Sequence, residues 1–221
     1  MDQLFCIIPA YNEEDCIAGV IREVKKVINN IIVVDDGSTD NTYNISLNEG
    51  AIVLRHIINR GQGAALRTGN EYALSKKAEI IVHFDADGQF KADEIDDLIK
   101  YIRKGEADIV LGSRFLEKKS NIPFLKKYFI LPIARLINFI ILGIKLTDPQ
   151  SGFRALNRKA AFKIKIENDG MAHCSEILSK SFYYKFKIKE VPITVIYNNY
   201  GQKFSGGLRI LKDMLINKLL N

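Results

Sequence analysis

Cysteine is scarce in this 221-residue chain: Cys6, Cys16 and Cys174 are odd in number and form no C-x-x-C pair. That argues against a disulfide framework and a thiolate metal cluster, and predicts reduced thiols in a cytosolic protein. Histidine is equally sparse, and the scattered positions of His56, His83 and His173 predict structural roles for all three. There is no Walker lysine motif and no usable Ser/His/Asp order, which removes P-loop and triad chemistry. The chain enters an apolar run directly after Met1-Asp2-Gln3, so no secretory signal is expected. Internal repeats, low-complexity tracts and dividing linkers are missing too, so residues 1–221 are expected to form one domain.

Long hydrophobic runs are also lacking. The nearest approach to a membrane span, Tyr128 to Ile144, is short and contains Pro132, Arg135 and Asn138. The segment 115–146 is instead expected to lie in a membrane interface, with Lys118, Lys119, Lys126 and Lys127 meeting anionic headgroups. A buried core helix, or a contact within a homo-oligomer, is the alternative. Segment 207–221 is expected to be a helix with Leu208, Leu211, Met214, Leu215 and Leu219 on one face, placed either on a membrane or on the sheet.

What is present is an apolar fraction of 47%, sufficient for a core, and a formal charge of +6, which favours anionic partners. Nucleic acid is not expected among them, because no reading motif or interleaved surface aromatics accompany the charge. The first half alternates strand and helix signals: strands over 4–9, 31–36, 51–55, 79–85 and 108–112, and helices from Asn12 as N-cap, over 63–75 and over 92–104. Further on, a helix is expected near 173–187 and a strand near 189–197. Continuous apolar strands separated by helices predict an α/β fold with a mostly parallel sheet and helices on both faces. Ligands bind such sheets at the carboxyl ends of their strands.

That rule gives three acidic motifs one address: Pro9-Ala10-Tyr11-Asn12-Glu13, Asp35-Asp36-Gly37-Ser38 and Asp85-Ala86-Asp87-Gly88-Gln89 all fall just past strand ends. Asp85 and Asp87 are one residue apart, so on an extended chain they share a side. Two convergent carboxylates repel unless a cation joins them or one takes a proton. An acidic turn is the plainer reading of the same residues. Gly61-Gln62-Gly63 opens a helix and imitates a dinucleotide fingerprint, but Leu66 stands where the third glycine belongs. Gly63 is then either part of a tight turn or close to a phosphate or ribose.

Together with Asn59-Arg60-Gly61, Gly112-Ser113-Arg114 and Ser151-Gly152-Phe153-Arg154, these motifs resemble, in kind, order and spacing, the family 2 glycosyltransferases. Within that family the resemblance is to polyprenyl-phosphate sugar synthases of the dolichyl-phosphate mannose synthase type, from about Leu4 to Tyr197. It implies a Rossmann-like A-type glycosyltransferase fold and an inverting, metal-dependent hexosyl transfer. The donor would be a UDP- or GDP-sugar and the acceptor a polyprenyl phosphate at the cytoplasmic face of the membrane.

On that resemblance Pro9, Tyr11 and Glu13 would border the base and ribose, Asp35 and Asp36 would lie on the nucleotide with Asp36 contacting the base, and Gly63, Ala86 and Gln89 would complete the donor site. Asp85 and Asp87 would hold Mg²⁺ or Mn²⁺ at the diphosphate, the phosphates and water completing the octahedron. Arg114 and Arg154 would hold the acceptor phosphate, unless they form structural salt bridges to Asp148 or a neighbouring carboxylate. Asp148 would be the general base if the acceptor were a hydroxyl of a glycan, the runner-up reading. A phosphate monoester needs no base, being largely dianionic at neutral pH. After Val191-Pro192-Ile193 the chain departs from those relatives: Lys203 is the basic residue where they often carry an Arg-rich loop.

Overall fold

Short runs of Val, Ile and Leu, apolar on both faces and too brief for helices, form strands covered on both sides. They are β1 (Leu4–Ala10), β2 (Asn30–Asp35), β3 (Ile52–Arg55), β4 (Ile80–His83) and β5 (Ile109–Ser113). The computed structural model describes residues 3–116 and 146–196. Two further strands, β6 (Arg154–Asn157) and β7 (Ile188–Pro192), complete a seven-stranded sheet of order β3-β2-β1-β4-β6-β5-β7. Every neighbouring pair is parallel except those of β6, which runs antiparallel between β4 and β5.

The helices are α1 (Ile17–Lys25), α2 (Thr42–Asn48), α3 (Gln62–Ser75), α4 (Ile95–Arg103), α5 (Arg158–Lys163) and α6 (His173–Tyr183). In α1 the buried residues Ile17, Val20, Ile21 and Val24 recur every three or four positions, as do Ile95, Leu98, Ile99 and Ile102 in α4. α4 also places Asp96 and Asp97 in its first turn and Lys100 and Arg103 in its last, matching the helix dipole. Strand alternation splits the core in two. Cys6, Ile8, Val33 and Val82 pack with α1 and α4, whereas Phe5, Ile7, Ile32 and Ile81 pack with α3, α5 and α6. Each fully buried Val, Ile or Leu contributes roughly 1.5–3 kcal/mol, so the four in α1 and the four in α4 fix those two helices to their face.

Several expectations move. Asn12 does not cap α1. Its backbone is left-handed (φ 54°), its side chain accepts from the Thr39 N–H, and the helix begins four residues later, with the Glu13 carbonyl accepting from the Cys16 and Ile17 N–H groups. Residues 92–94 form a 3₁₀ turn ahead of α4. α6 stops at Tyr183 because Lys185 turns left-handed (φ 56°), and β7 ends at Pro192, beyond which Val195 forms an isolated bridge with Phe90. The sequence reading missed α2, β6 and α5: α2 and α5 are only seven and six residues long, and the four residues of β6 give too short a pattern to read beside partners β4 and β5 that are remote in sequence. The expected segment 128–144, Lys203 and the helix at 207–221 lie outside the described residues. Among those described, no helix is long and apolar enough to cross a membrane.

Candidate active site

The motifs converge as the strand-end rule requires. Ala10 is in register with Asp35 across β1 and β2, and His83 of β4 is in register with Arg154 of β6, which in turn pairs with Leu111 of β5. The segments that leave these positions emerge at the same end of the sheet.

β4 ends at His83, two residues short of the expected strand, so Asp85 and Asp87 lie in the following turn. Their common side survives because Phe84 and Ala86 turn into the core, 1% and 4% exposed, leaving both carboxylates half-buried. The Ala86 side chain therefore packs inside, which leaves its backbone as the part that could face a donor. Gln62 Nε2 donates to Asp85 Oδ1 at 2.9 Å, and the Gln89 N–H donates to Asp87 Oδ1 at 3.0 Å. Burial and then the Asp87 charge raise the Asp85 carboxyl to about 7, against the opposing pull of Arg154. Burial and then Asp87, Asp40 and Asp15 raise Glu13 to about 7 as well.

This clustering of charge has a physical remedy in a cation. Among the described residues no three His, Cys, Asp or Glu side chains converge to hold a metal unaided. Two hard carboxylates that leave positions for other oxygens suit Mg²⁺ or Mn²⁺ held jointly with phosphates and water. The residues present therefore fit the expected ion.

On the β1–β2 side, Tyr11 is 45% exposed, a free aromatic face at the crevice edge, with Pro9 half-buried behind it. Asp36 is placed differently from the expectation. It is 3% exposed, and its carboxylate accepts from the Arg60 N–H (3.0 Å), the Gly61 N–H (2.6 Å) and His56 Nδ1 (2.6 Å). Those bonds latch the loop after β3 rather than reach towards a base. Fully buried Asp35 accepts from the Ser38 N–H through Oδ1; Arg55 Nε is 3.1 Å from Oδ2 without the alignment of a hydrogen bond. Gly63 is a packing residue: a Cβ there would lie 2.0 Å from the Asn168 carbonyl oxygen. The neighbouring segment at Asn168 explains why it has no side chain.

On the β5 side, Arg114 and Asp148 form a forked ion pair, Nε to Oδ2 and Nη2 to Oδ1, each 2.6 Å, and the Arg114 backbone N–H adds 3.1 Å to Oδ2. Asp148 is 1% exposed. A general base must offer a lone pair to the acceptor hydroxyl. Here both oxygens accept from Arg114, a permanent cation, which gives Asp148 the geometry of an anchor for that guanidinium. Glu190 of β7 supports the anchor, accepting from the Thr147 N–H (2.8 Å), the Thr147 hydroxyl (2.9 Å) and the Asp148 N–H (2.9 Å).

Arg154 lies behind Asp85, not at the acceptor surface. It is 2% exposed, with Nε 3.3 Å from the Gly152 carbonyl and Nη2 3.2 Å from Cys174 Sγ. Burial would raise the Cys174 thiol, but His173 and Arg154 outweigh it and bring it down to about 6. Each histidine makes a hydrogen bond within the fold: His56 bridges Asp36 to Thr68, His83 meets Asn70, and His173 Nδ1 donates to the Gly170 carbonyl. Gln62, Gly152, Thr147 and Glu190 were missed as site residues. Only Gln62 and Gly152 lay within motifs already singled out; a lone glutamate in a strand carries no signal of what it will clamp.

A family model, Glycosyl transferase family 2, matches residues 5–164. The chain is 38% identical to an uncharacterized protein of Methanocaldococcus jannaschii, over 99% of this chain and 93% of the other. It is 36% identical to the UDP-N-acetylglucosamine–dolichyl-phosphate N-acetylglucosaminyltransferase of Methanococcus voltae, over 98% and 96%. Among solved structures, glucosyl-3-phosphoglycerate synthase of Mycobacterium tuberculosis, in complex with Mn²⁺, UDP-glucose and phosphoglyceric acid, superimposes with a TM-score of 0.74. That match has 20% identity and covers 97% of this chain and 79% of the other, which establishes the fold.

Proposed function

The chain belongs to glycosyl transferase family 2, and from that premise we propose that it transfers a hexose from a nucleotide-diphosphate sugar to a polyprenyl phosphate, with inversion, at the cytoplasmic face of a membrane. The observation that carries the acceptor class is the Arg114–Asp148 fork. It engages Asp148, the base of the runner-up reading, and holds the Arg114 guanidinium rigidly just past the end of β5. A phosphate dianion needs that combination: a fixed cation to position it and no base to activate it. Arg114 follows β5 and Asp85 follows β4, with β6 between them, a lateral step of about 10 Å at normal strand spacing. Donor diphosphate and acceptor phosphate would thus have separate, adjacent anchors.

Pro9, Tyr11 and Glu13 are assigned to the base and ribose, with Tyr11 supplying a stacking face. Asp85 and Asp87 are the residues that would hold Mg²⁺ or Mn²⁺; when bound, the ion stabilises negative charge on the departing nucleoside diphosphate. UDP-N-acetylglucosamine is the first donor to test, because the Methanococcus voltae relative is named for that donor and for dolichyl phosphate. The membrane location is supported by the lysine-flanked apolar sequence at 128–144.

The test is purified protein with radiolabelled UDP- and GDP-sugars, polyprenyl phosphate, and Mn²⁺ or EDTA. Label should enter the organic phase only with metal. Transfer to a soluble glycan in place of the lipid would overturn the acceptor, and transfer that ignores EDTA would overturn the metal assignment.

A further inference from the structure

Gly152 is a glycine without a backbone reason, since its φ is not in the left-handed region. The reason lies in the adjacent turn that follows β4. A Cβ at position 152 would sit 2.5 Å from Asp85 Oδ2, 2.8 Å from Oδ1 and 3.0 Å from Cγ, distances that non-bonded atoms do not tolerate. The missing side chain is the space that the Asp85 carboxylate occupies. On its other flank the same carboxylate accepts the 2.9 Å hydrogen bond from Gln62 Nε2, at the first turn of α3. Neither support is loose. Arg154, itself buried, donates to the Gly152 carbonyl from behind, and the Gly61–Gly63 segment that opens α3 is packed against Asn168 and Asp169.

We propose that Gln62 and Gly152 are positioning residues that fix the orientation of the Asp85 carboxylate, Gln62 as a tether on Oδ1 and Gly152 as clearance for both oxygens. Oδ2, which accepts no hydrogen bond among the described residues, is thereby left as the oxygen to present. The inference rests on the reading of Asp85 as a cation-holding residue. A hard ion bound by few protein oxygens depends strongly on their orientation, because each carboxylate must otherwise be ordered at the moment of binding. Outer hydrogen bonds to metal ligands are typically worth about 10–100-fold in metal affinity.

The experiment compares Gln62→Ala, Gly152→Ala and Asp85→Ala with the unaltered full-length chain. Free Mn²⁺ is followed by its paramagnetic resonance signal during titration with UDP, and with GDP in a parallel arm. Metal-free Tm and the metal activation profile are measured alongside. Gln62→Ala and Gly152→Ala should each weaken Mn²⁺ binding about 10–100-fold. Both should keep a near-normal metal-free Tm, since only the end of one flexible side chain has to move, and both should recover most of kcat at saturating Mn²⁺.

Normal Mn²⁺ affinity in both variants, alongside a large loss in Asp85→Ala, overturns the positioning role and leaves the metal reading intact. Normal affinity in Asp85→Ala overturns the metal reading and the inference with it. Loss of metal-free stability equal to the loss of Mn²⁺ binding assigns the two residues to folding and also overturns the proposal.

Discussion

Replacing Asp148 with Asn separates the two mechanisms open to this site. The change keeps shape and one acceptor oxygen but turns the other into an NH₂ that faces the Arg114 guanidinium. Removing one partner from a buried ion pair costs roughly 3–5 kcal/mol. Arg114 retains 18% side-chain exposure and one oxygen survives, so roughly 2–3 kcal/mol is expected. For a chain of this size that is a fall in Tm of roughly 4–12 °C. The guanidinium also loses its fixed plane, so the KM for polyprenyl phosphate should rise while kcat stays within about tenfold of the parent. Donor binding, measured by calorimetry with the nucleotide sugar and Mn²⁺, should not change. Removal of a general base predicts the opposite pattern: a loss of roughly 10²–10⁴ in kcat with little change in Tm or acceptor KM. That second pattern would refute the reasoning that assigns Asp148 to anchoring and the acceptor to phosphate.

The companion change Arg114→Ala should raise the acceptor KM by roughly 10–100-fold, the worth of hydrogen bonds to a charged group, with donor affinity intact. Glu190→Gln should raise acceptor KM in the same direction by loosening the Thr147–Asp148 segment, as steady-state kinetics with varied lipid phosphate will reveal. In metal-free protein, Asp85 and Glu13 take up protons on folding because both carboxyls are raised to about 7. Their contribution to stability is fully present below about pH 4 and is lost as the pH climbs through about 7. Denaturant titrations from pH 4 to 8 should therefore show stability falling, and Mn²⁺ with UDP should reverse the fall at the upper end. Gly63→Ala should lower Tm, since the Asn168 carbonyl cannot yield to a Cβ 2.0 Å away; an unchanged Tm with weakened nucleotide binding would return Gly63 to the ligand.

The alternation of strand and helix, the parallel sheet and the shared address of three acidic motifs were legible because local patterns dictate them. Two-sided apolar runs need cover on both faces, and ligand loops in such sheets emerge at one end. β6 was not legible, because a four-residue strand between two remote neighbours is specified by its partners and not by its own periodicity. Asp36 and Ala86 show the same limit inside recognised motifs. The sequence brings a carboxylate to a strand end, but whether it faces a ligand or latches the Arg60–Gly61 backbone depends on a loop 24 residues away.

The sequence by itself determined that this is a family 2 glycosyltransferase sheet with Asp85 and Asp87 at the end of β4, because composition, period and motif order are properties of the chain alone. Only the tertiary structure decided which partners Arg114, Asp148 and Arg154 take. Arg114 and Asp148 are 34 residues apart and Glu190 lies 42 further on, so the fork and its support exist only once β5 and β7 pair. Arg154 reads like Arg114 in sequence, yet antiparallel β6 carries it beneath Asp85 and into the core. Side chains of one chemistry are thus assigned to opposite sides of the same site by strand direction, a property that no local pattern encodes.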